Sequence, residues 1–434
     1  MRVAVVGLWH LGTVTAACLA AVGHAVVGLD DAATVDRLRE GRLPVAEPGL
    51  EDLIRQGLEA GRLRFSSDPR DLADAEVTWI TYDTPVDDED RADVEHVVRR
   101  VEALFPCLAE GTLVLVSSQL PVGSTARLEA GYRRLRPGGK ASFAYSPENL
   151  RLGRAVEAFL RPERVVVGVH SEEDRKRVAA LLAPVTERIQ WTSVESAEMA
   201  KHALNAFLAT SVAFANELAA LCERVGADVA EVERALRSDS RVGPRAYVRA
   251  GGAFAGGTLA RDVSYLADLA RREDLPAHLF GAVLASNEAH KQWAWRRLAE
   301  VLGDLRGRRI AVLGLTYKPG TDTLRRSSAV ETCRWLSERG ATVAAYDPAV
   351  KALPADLRGV IDLRPSAEAA LRDADAALVA TEWPELAALG PDDLARWMRE
   401  PVVLDPGRFL EAALGADGRI RYLAVGSLAV GRAT

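Results

Sequence analysis

Residues 2–12 read Arg-Val-Ala-Val-Val-Gly-Leu-Trp-His-Leu-Gly, which joins a β-branched apolar run to two glycines. The run at 2–7 is typical of a strand buried on both faces, as parallel sheets require. An alanine-rich helical stretch follows at 13–21, and Gly23 separates it from a second apolar run at 25–29. Strand, tight turn, helix and strand form a βαβ unit, so this stretch predicts a doubly wound α/β domain.

Strand-like and helix-like stretches continue to alternate until about residue 195. Further apolar runs lie at 77–81, 113–117, 141–145 and 164–169. From residue 196 the pattern changes to long helical periodicity, at 198–225, 229–236, 262–272 and 277–302. A fresh α/β pattern begins at residue 309, with apolar runs at 310–315, 342–346, 376–380, 402–404 and 422–425.

These patterns predict an α/β fold class, with two Rossmann-like doubly wound parallel-sheet domains joined by a helical central segment. The predicted boundaries are 1–195 for the first domain, 196–304 for the central helical domain and 305–434 for the second Rossmann-like domain. The two α/β halves resemble each other in the order of their elements but not in sequence, so no simple repeat is predicted.

Composition and charge restrict the class of partner. A formal net charge of −6 is small for 434 residues, which argues against a nucleic-acid or anionic-membrane surface. We expect a small-molecule partner, no nucleic acid and no membrane, because no segment looks long and apolar enough to span a bilayer. The 4 cysteines show no C-x-x-C spacing, so neither a disulfide framework nor a metal site is predicted, and a reducing cytoplasm fits.

Gly7 and Gly12 are spaced like the outer glycines of a dinucleotide-binding turn, in which helix N–H groups face a pyrophosphate. Asp30 ends the second predicted strand, where an acid binds the adenosine ribose and favours NAD over NADP by repelling a 2′-phosphate. The middle glycine is replaced by Trp9, so a purely structural strand–helix turn is the alternative interpretation. The predicted cofactor residues of this turn are Gly7, Trp9, His10, Leu11, Gly12 and Asp30.

A series of motifs follows along the rest of the chain. They lie at 44–50 (Pro-Val-Ala-Glu-Pro-Gly-Leu), 84–85 (Thr-Pro), 121–123 (Pro-Val-Gly), 146–150 (Ser-Pro-Glu-Asn-Leu), 198–205 (Glu-Met-Ala-Lys-His-Ala-Leu-Asn), 216–217 (Asn-Glu), 256–262 (Gly-Gly-Thr-Leu-Ala-Arg-Asp), 314–322 (Gly-Leu-Thr-Tyr-Lys-Pro-Gly-Thr-Asp), 346–348 (Tyr-Asp-Pro) and 381–383 (Thr-Glu-Trp). In chain order these motifs resemble those of the UDP-glucose and GDP-mannose dehydrogenase family, and the resemblance covers nearly the whole chain. It implies a homodimeric enzyme that uses NAD to oxidise the C6 alcohol of a nucleotide sugar to a carboxylate, through a thioester-linked intermediate.

Lys201 and Asn205 are four residues apart on a predicted helix, so their side chains project from one face. The resemblance implies that Lys201 stabilises a developing alkoxide and that Asn205 orients a water or a substrate oxygen. It implies that Asp262 holds a water with Asn205 and accepts the alcohol proton, although Asp262 could instead be a helix N-cap. It places Glu148 near the reacting carbon, and a merely solvated loop carboxylate is the alternative.

The resemblance also assigns residues that contact the two ligands. Thr84, Pro85 and Gln119 join the cofactor site. Phe254 is a candidate for packing on the sugar or base, or else a core aromatic, and Arg325 resembles a nucleotide-sugar contact that reaches across a dimer. The implied nucleotide-sugar contacts are Leu150, Gly251, Phe254, Gly256, Gly257, Lys318 and Arg325.

Three departures from the family concern its second oxidation. Thr258 takes the place of the nucleophilic cysteine, and a hydroxyl needs an adjacent base and gives an ester rather than a thioester. Gln119 replaces a threonine and Leu152 replaces a glutamate, at positions that the resemblance assigns to the water around the covalent step. The residues implied in the first hydride transfer are retained: Lys201, Asn205 and Asp262.

The leading hypothesis is therefore one hydride transfer to NAD, without a thioester, that stops at the aldehyde or ketone. One alternative is a second oxidation of the hydrated aldehyde, still giving the uronate. Another is a nucleotide-sugar-binding protein that has lost catalysis, suggested by the departures at Trp9, Gln119, Leu152 and Thr258. A β-hydroxyacid dehydrogenase shares the Rossmann domain and the Lys-x-x-x-Asn pair, but the second α/β half argues against it. The sugar and the base stay open.

Overall fold

The computed structural model describes residues 1–87, 92–148, 150–255 and 257–427. It divides into two compact units, Met1–Leu204 and Asn205–Thr434, and each unit is described by itself. The predicted three-domain division, with boundaries at 195 and 304, stays a prediction.

The first unit is an eight-stranded sheet with helices between its strands, in the order β3-β2-β1-β4-β5-β6-β7-β8. Its strands are β1 Arg2–Val6, β2 Ala25–Leu29, β3 Leu63–Ser66, β4 Val77–Ile80, β5 Leu113–Val116, β6 Ser142–Tyr145, β7 Val165–Gly168 and β8 Ile189–Thr192. Its helices are α1 His10–Ala21, α2 Ala32–Arg39, α3 Leu50–Glu59, α4 Val94–Glu102, α5 Ser124–Leu135, α6 Ala155–Leu160 and α7 Glu172–Leu182, and helix α8 Val194–Val225 begins here and continues into the second unit.

The central strand β1 shows why its sequence is apolar without alternation. Val3 and Val5 belong to one hydrophobic cluster, whereas Ala4 and Val6 belong to another. Successive side chains of a strand point to opposite faces of the sheet. Both faces are covered, so every one of these positions is buried, as predicted for a parallel sheet.

The first sheet differs from the prediction at its edges. It is mixed rather than wholly parallel, because β7 runs antiparallel to β6 and pairs through Tyr145 and Gly168. The strands β3 and β8 were not predicted. Both lie at an edge of the sheet and interrupt their apolar residues with Arg64 or Gln190, so neither carries the continuous apolar run of a central strand.

Helix α8 is 32 residues long and, by length and composition alone, could cross a membrane. The expectation that no segment is long and apolar enough is therefore wrong for this helix. Core helices of soluble proteins share this length and composition, and 39% of the most apolar 18-residue stretch of the helix is buried inside the protein. The helix also carries the buried polar side chains of Glu198, Lys201 and Asn216.

The second unit combines helices with a six-stranded parallel sheet in the order β11-β10-β9-β12-β13-β14. The strands are β9 Arg309–Leu313, β10 Thr342–Tyr346, β11 Asp362–Leu363, β12 Ala376–Val379, β13 Val402–Leu404 and β14 Arg421–Leu423. The helices after α8 are α9 Val229–Ser238, α10 Leu259–Arg272, α11 His278–Lys291, α12 Trp293–Leu302, α13 Ser328–Glu338, α14 Ala367–Leu371, α15 Pro391–Trp397 and α16 Glu411–Leu414. The single helix predicted at 277–302 is two helices, because the backbone leaves the helical region at Gln292, with φ −81° and ψ 0°.

The first strand of each sheet ends in the same glycine turn. Gly7 and Gly314 follow β1 and β9 with φ of +98° and +90°, a region that costs residues with a Cβ atom. A Cβ atom on Gly7 would lie 2.6 Å from the ring of Tyr82, and one on Gly314 would lie 2.4 Å from the Cβ atom of Thr381. In both units the chain therefore turns tightly against the residues that follow the fourth strand.

An acid at the end of the second strand completes each turn. In the first unit, Asp30 accepts a hydrogen bond from the backbone N–H of Leu8, at 2.6 Å. In the second unit, Asp347 accepts the equivalent bond from Leu315, at 2.7 Å. The two units thus share a glycine turn held by an acid, although their sequences show no repeat.

The glycine turn of the second unit can be tested by substitution. We expect Gly314→Ala to lower the free energy of unfolding by about 3 kcal/mol, because left-handed strain adds to overpacking against Thr381. Gly320→Ala is the matched control, since Gly320 has φ +81° but nothing within 4 Å of where a Cβ atom would lie, and strain alone costs about 1 kcal/mol. Urea unfolding of both variants measures the difference. Equal unfolding midpoints would contradict this account of the turn.

Candidate active site

The predicted cofactor turn begins helix α1 directly after β1. A Cβ atom on Gly12 would lie 1.9 Å from the carbonyl oxygen of Gly7, so the spacing of the two glycines is required by the turn itself. Helix α1 begins at His10, and its first turn contains no acidic residue. The free N–H groups and positive end of such a helix bind phosphate, so the turn fits the pyrophosphate of a dinucleotide.

Trp9, which occupies the middle position of the turn, is the N-cap of helix α1. Its backbone is extended, with φ −79° and ψ −157°, a conformation that any residue adopts. Its side chain is 48% exposed. Trp9 in place of the middle glycine therefore does not strain the backbone of the turn. The consequence of the replacement is that a large side chain lies beside the start of helix α1.

His10 is held by a buried acid, Glu47. The His10 Nε2 atom donates to Glu47 Oε1 at 2.8 Å, and the same carboxylate accepts bonds from the N–H groups of Gly153 and Ala155. Glu47 thus ties the cofactor turn to the loop before helix α6. Leu11 is half-buried in the first turn of helix α1.

Asp30 lies where the adenosine ribose of a dinucleotide is expected. Its Oδ1 atom accepts bonds from the N–H of Asp31 at 2.8 Å and from Arg100 at 2.7 Å. The Arg100 guanidinium also lies over the Tyr82 ring, 4.1 Å from its centroid. Sequence reasoning missed Arg100, because helix α4 carries it 70 positions after its partner and no motif marks it.

Two further predicted cofactor residues come together after β4 and β5. The Thr84 hydroxyl donates to the backbone carbonyl of Gln119 at 2.8 Å, and Thr84 is buried. Pro85 lies beside them and accepts a bond from the N–H of Asp93 at 2.8 Å. These residues follow the carboxyl ends of parallel strands, where ligands of doubly wound sheets bind.

Lys201 and Glu148 form a pair within the first unit. The Lys201 ammonium donates to the carbonyl oxygen of Glu148 at 2.7 Å and to its carboxylate at 3.1 Å. The other carboxylate oxygen accepts a bond from the N–H of Leu150 at 2.9 Å. Lys201 is only 7% exposed, so Glu148 holds a buried ammonium in place rather than standing as a merely solvated loop acid.

Two residues that sequence reasoning missed hold helix α8 against the start of helix α5 and the loop before it. The fully buried Glu198 accepts bonds from the N–H groups of Gly123 and Thr125 and from the Thr125 hydroxyl, at 2.6–2.9 Å. His202 bonds to the carbonyl of Leu120 at 3.0 Å. Burial raises the pKa of Glu198 despite these bonds. Both residues flank Lys201 in the motif at 198–205, and this position beside Lys201 could have indicated that they help to hold it.

Asn205 and Asp262 meet within the second unit. The Asn205 amide donates to Asp262 Oδ2, and both side chains are buried. Helix α10 begins at Leu259 with Thr258 as its N-cap, so the alternative interpretation of Asp262 as the N-cap is wrong. Asp262 instead lies in the first helical turn, where the positive end of the helix favours a carboxylate.

Thr258 stands at that N-cap position without the partner that a nucleophile needs. Thr258 is exposed, and its side chain makes no capping hydrogen bond. Across the described part of the chain, no imidazole, carboxylate or amine is hydrogen-bonded to its hydroxyl. A serine or threonine hydroxyl is a weak nucleophile unless a base activates it. Gly257 precedes it with φ +105°, and Gly256 lies outside the described residues.

The segment 251–254 is held by three buried polar side chains. Asn216 accepts a bond from the N–H of Gly251 at 2.9 Å, and His290 donates to the Gly251 carbonyl at 2.7 Å. Asn287 bonds to both the N–H and the carbonyl of Phe254, at 2.9 Å each. Phe254 is itself buried, so its ring belongs to the core of the second unit.

A cavity of about 370 Å³ opens beside this segment, within the second unit. Lys318 lines it together with Gly252, Tyr317, Ser328, Glu382 and Gly407. Burial raises the pKa of Glu382, and the nearby Arg249 opposes that rise. Arg325 is exposed and does not line the cavity. A helix N-terminus, a lysine and backbone donors suit a phosphorylated ligand.

The acid of the second glycine turn, Asp347, is buried and hydrogen-bonded to the turn. Asp347 accepts bonds from Leu315, Thr316 and Trp383 on one oxygen and from Ala349 on the other. Burial alone would raise the pKa of Asp347, but these bonds outweigh it and the pKa is lowered. Asp347 is only 2% exposed, so its carboxylate holds the turn and presents almost no surface to a ribose.

Comparison with known protein families identifies three consecutive matches. Residues 1–186 match the NAD binding domain of the UDP-glucose/GDP-mannose dehydrogenase family, residues 195–289 its central domain and residues 311–412 its UDP binding domain. A UDP-glucose 6-dehydrogenase of Rhizobium meliloti is 34% identical over 435 residues, covering 98% of this chain and 99% of the relative. One of Pseudomonas aeruginosa is 34% identical over 442 residues, covering 98% and 97%.

Solved structures show the same similarity. A UDP-glucose dehydrogenase from the archaeon Pyrobaculum islandicum superposes with a TM-score of 0.88 at 33% identity, covering 98% of each chain. A UDP-D-ManNAc dehydrogenase from Pyrococcus horikoshii superposes with a TM-score of 0.86 at 26% identity, covering 98% of this chain and 99% of that one.

The buried imidazole under segment 251–254 predicts a pH dependence. Burial lowers the pKa of His290 from 6.5, so the folded protein holds it neutral while the unfolded chain takes up a proton below 6.5. Stability is therefore lost as the pH falls from 6.5 toward the lowered folded value. We expect His290→Gln, which keeps an N–H donor for Gly251, to lose less stability on acidification than the wild type. Thermal unfolding on either side of pH 6.5 measures this.

The exposed His278→Gln is the matched control, because it removes an imidazole from helix α11 without touching the segment. It should behave like the wild type. If His290→Gln and the wild type lost equal stability on acidification, the buried imidazole would not be the titrating group.

Proposed function

Because the chain belongs to the UDP-glucose/GDP-mannose dehydrogenase family, we propose that it oxidises the C6 alcohol of a nucleotide sugar by one hydride transfer and stops at the aldehyde. The coarser activity follows from membership: the chain is an NAD-dependent nucleotide-sugar dehydrogenase. NAD, when bound, is the hydride acceptor. The proposal concerns how far the oxidation goes and which residues carry it.

The state of Thr258 is the observation that carries the proposal. Thr258 is an exposed residue whose hydroxyl has no activating base among the described residues, whereas Lys201 and Asp262 are buried and hydrogen-bonded. A second oxidation through a covalent intermediate needs a nucleophile at the reacting aldehyde. The groups that support the first oxidation are thus held in place, and the group that would support the second is not.

Three of the four cysteines are poorly suited to supply the missing thiolate. Burial raises the pKa of Cys18 and of Cys333 to about 12, so both stay protonated thiols. Cys222 is buried in the core of the second unit, 17 residues after Asn205 on helix α8 and so about 25 Å along it. All four cysteines are free, which supports the proposal of a reducing, cytoplasmic location.

The proposed step balances as a two-electron oxidation. The C6–H bond breaks and its electron pair leaves with the hydride, while the O–H bond breaks and a carbon–oxygen double bond forms. Asp262, hydrogen-bonded to Asn205, takes the alcohol proton directly or through a water. The Lys201 ammonium stabilises the negative charge that develops on the oxygen, and Glu148 keeps that ammonium oriented.

We further propose that the nucleotide is a uridine diphosphate and that it binds at the cavity beside segment 251–254. Residues 311–412 match the family's UDP binding domain, and the relatives with the printed name UDP-glucose 6-dehydrogenase cover nearly the whole chain. The cavity presents Lys318, the N-terminal residues of helix α13 and the backbone of Gly252 to a ligand. Such donors suit a diphosphate.

Counting reduced cofactor per sugar decides between the hypotheses. With limiting UDP-glucose or a related UDP-sugar and excess NAD, we expect one NADH per sugar consumed and an aldehyde by product mass. Two NADH and a uronate would contradict the single-transfer proposal and support oxidation of the hydrated aldehyde. No NADH with any UDP-, GDP- or dTDP-sugar would instead support the binding-protein alternative.

Variants in the same assay test the assigned roles. Lys201→Met should lower kcat by about 100-fold to 1,000-fold, as expected for losing a charged group aimed at a developing oxyanion. The exposed Lys176→Met on helix α7 is its control and should leave kcat unchanged. Thr258→Ala should stay within about threefold of the wild type and keep one NADH per sugar. A large loss in Thr258→Ala would mean that this hydroxyl takes part after all.

We also propose that the chain forms a homodimer through helix α8. Phe207, Phe214 and Leu221 are each more than half exposed and recur every seven residues, and Val225 continues the same side. Side chains seven apart on a helix lie on one face, and such a seam pairs with a second copy of itself. The occupant that this face suits is therefore another copy of helix α8.

Charge on that seam should break the dimer. We expect the wild type to elute with about twice its chain mass of 46.7 kDa in light scattering, and Phe214→Glu to elute as a monomer. Ala220→Glu, exposed on the same helix but away from the seam, is the control and should stay dimeric. Dimers that persist in Phe214→Glu, or a monomeric wild type, would contradict this interface.

A further inference from the structure

The adenosine end of the proposed cofactor site contains a cation as well as the predicted acid. Arg100 is held between two groups: its Nη2 atom donates to Asp30 at 2.7 Å, and its guanidinium lies 4.1 Å from the Tyr82 ring centroid. Tyr82 in turn packs against Gly7 of the cofactor turn. The guanidinium is therefore fixed by a charge-assisted bond on one side and a cation–π contact on another.

The exposure of the two partners differs. The Asp30 side chain is 8% exposed and accepts three donors, from Leu8, Asp31 and Arg100. The Arg100 side chain is 36% exposed. A guanidinium has five N–H donors, and only one of them is used on Asp30, so the exposed edge of Arg100 has donors left for a ligand.

The Asp30 carboxylate is paired with a cation rather than isolated at this end of the site, because Arg100 donates to it at 2.7 Å. The neighbouring Asp31 is held by the backbone N–H of Thr34, which is the main cause that lowers the Asp31 pKa, and the charge of Arg100 adds to it. An acid at the end of β2 repels a 2′-phosphate only while its charge is not offset.

We propose that Arg100 makes the adenosine-ribose subsite able to bind a 2′-phosphate, so that the chain takes NADP as well as NAD. Asp30 receives the ribose hydroxyl of NAD, whereas the exposed edge of Arg100 pairs with the phosphate of NADP through two parallel N–H···O bonds. The assignment of the subsite rests on the proposed function, because it places a dinucleotide at the turn before helix α1.

The competing explanation is that Arg100 is only a tie between helix α4 and strand β2. A tie would stabilise the first unit but would not distinguish the two cofactors, since it contributes equally to both complexes. Discrimination between NAD and NADP therefore separates the roles, and loss of stability does not.

Direct binding measures that discrimination without any sugar. Isothermal titration of the full chain with NAD and with NADP gives two dissociation constants for the wild type, Arg100→Met and Arg99→Met. Arg99 is exposed on the same helix, which makes its variant the charge-matched control. We expect Arg100→Met to raise the ratio of the NADP to the NAD dissociation constant by at least tenfold, and Arg99→Met to leave it unchanged. A smaller rise in Arg100→Met, or an equal rise in both variants, overturns the proposal.

A second measurement uses only the wild type and so does not depend on the variants folding. The NADP dissociation constant should increase more steeply with salt than the NAD constant, because the additional contact is between charges at a partly exposed site. Parallel salt dependence overturns the proposal. NAD binding with no turnover of any nucleotide sugar would instead contradict the proposed function while leaving the role of Arg100 intact.

Discussion

The left-handed glycine turn at the end of the first strand is the constraint on which each unit depends. Gly7 and Gly314 let the chain reverse within the contact distance of Tyr82 and Thr381, and a side chain at either position would collide with them. The turn places a helix N-terminus or a binding loop at the carboxyl edge of the sheet. Ligand sites in doubly wound folds lie at that edge for this reason.

The two turns differ in what their acids are free to do. Asp347 is 2% exposed and accepts bonds from Leu315, Thr316, Trp383 and Ala349, so it holds the turn. Asp30 instead shares one oxygen with the partly exposed guanidinium of Arg100. The same backbone turn thus has a buried acid in the second unit and an acid paired with a partly exposed cation in the first.

The proposed catalytic residues Lys201 and Asn205 lie on helix α8, where each of these two side chains is hydrogen-bonded to a partner outside the helix. Glu198 and His202 bind the loop before helix α5, which leaves Lys201 between them with Glu148 as its partner. One turn later Asn205 holds Asp262. Thr258 has no comparable support at the exposed start of helix α10. The contrast is one of preorganisation: a group that must act on developing charge has to be oriented before the reaction begins.

The sequence by itself determined the fold class and the family, and it predicted most of the proposed site residues, because buried parallel strands produce apolar runs and motif residues keep a set order along the chain. It did not reveal the edge strands β3, β8 and β11, because these short strands lack a continuous apolar run. Only the tertiary structure decided which groups are partnered: that Glu148 holds Lys201, that Asp262 is no helix cap, and that Arg100 reaches Asp30 from 70 positions away. Such contacts join residues distant in sequence, and no local periodicity encodes them.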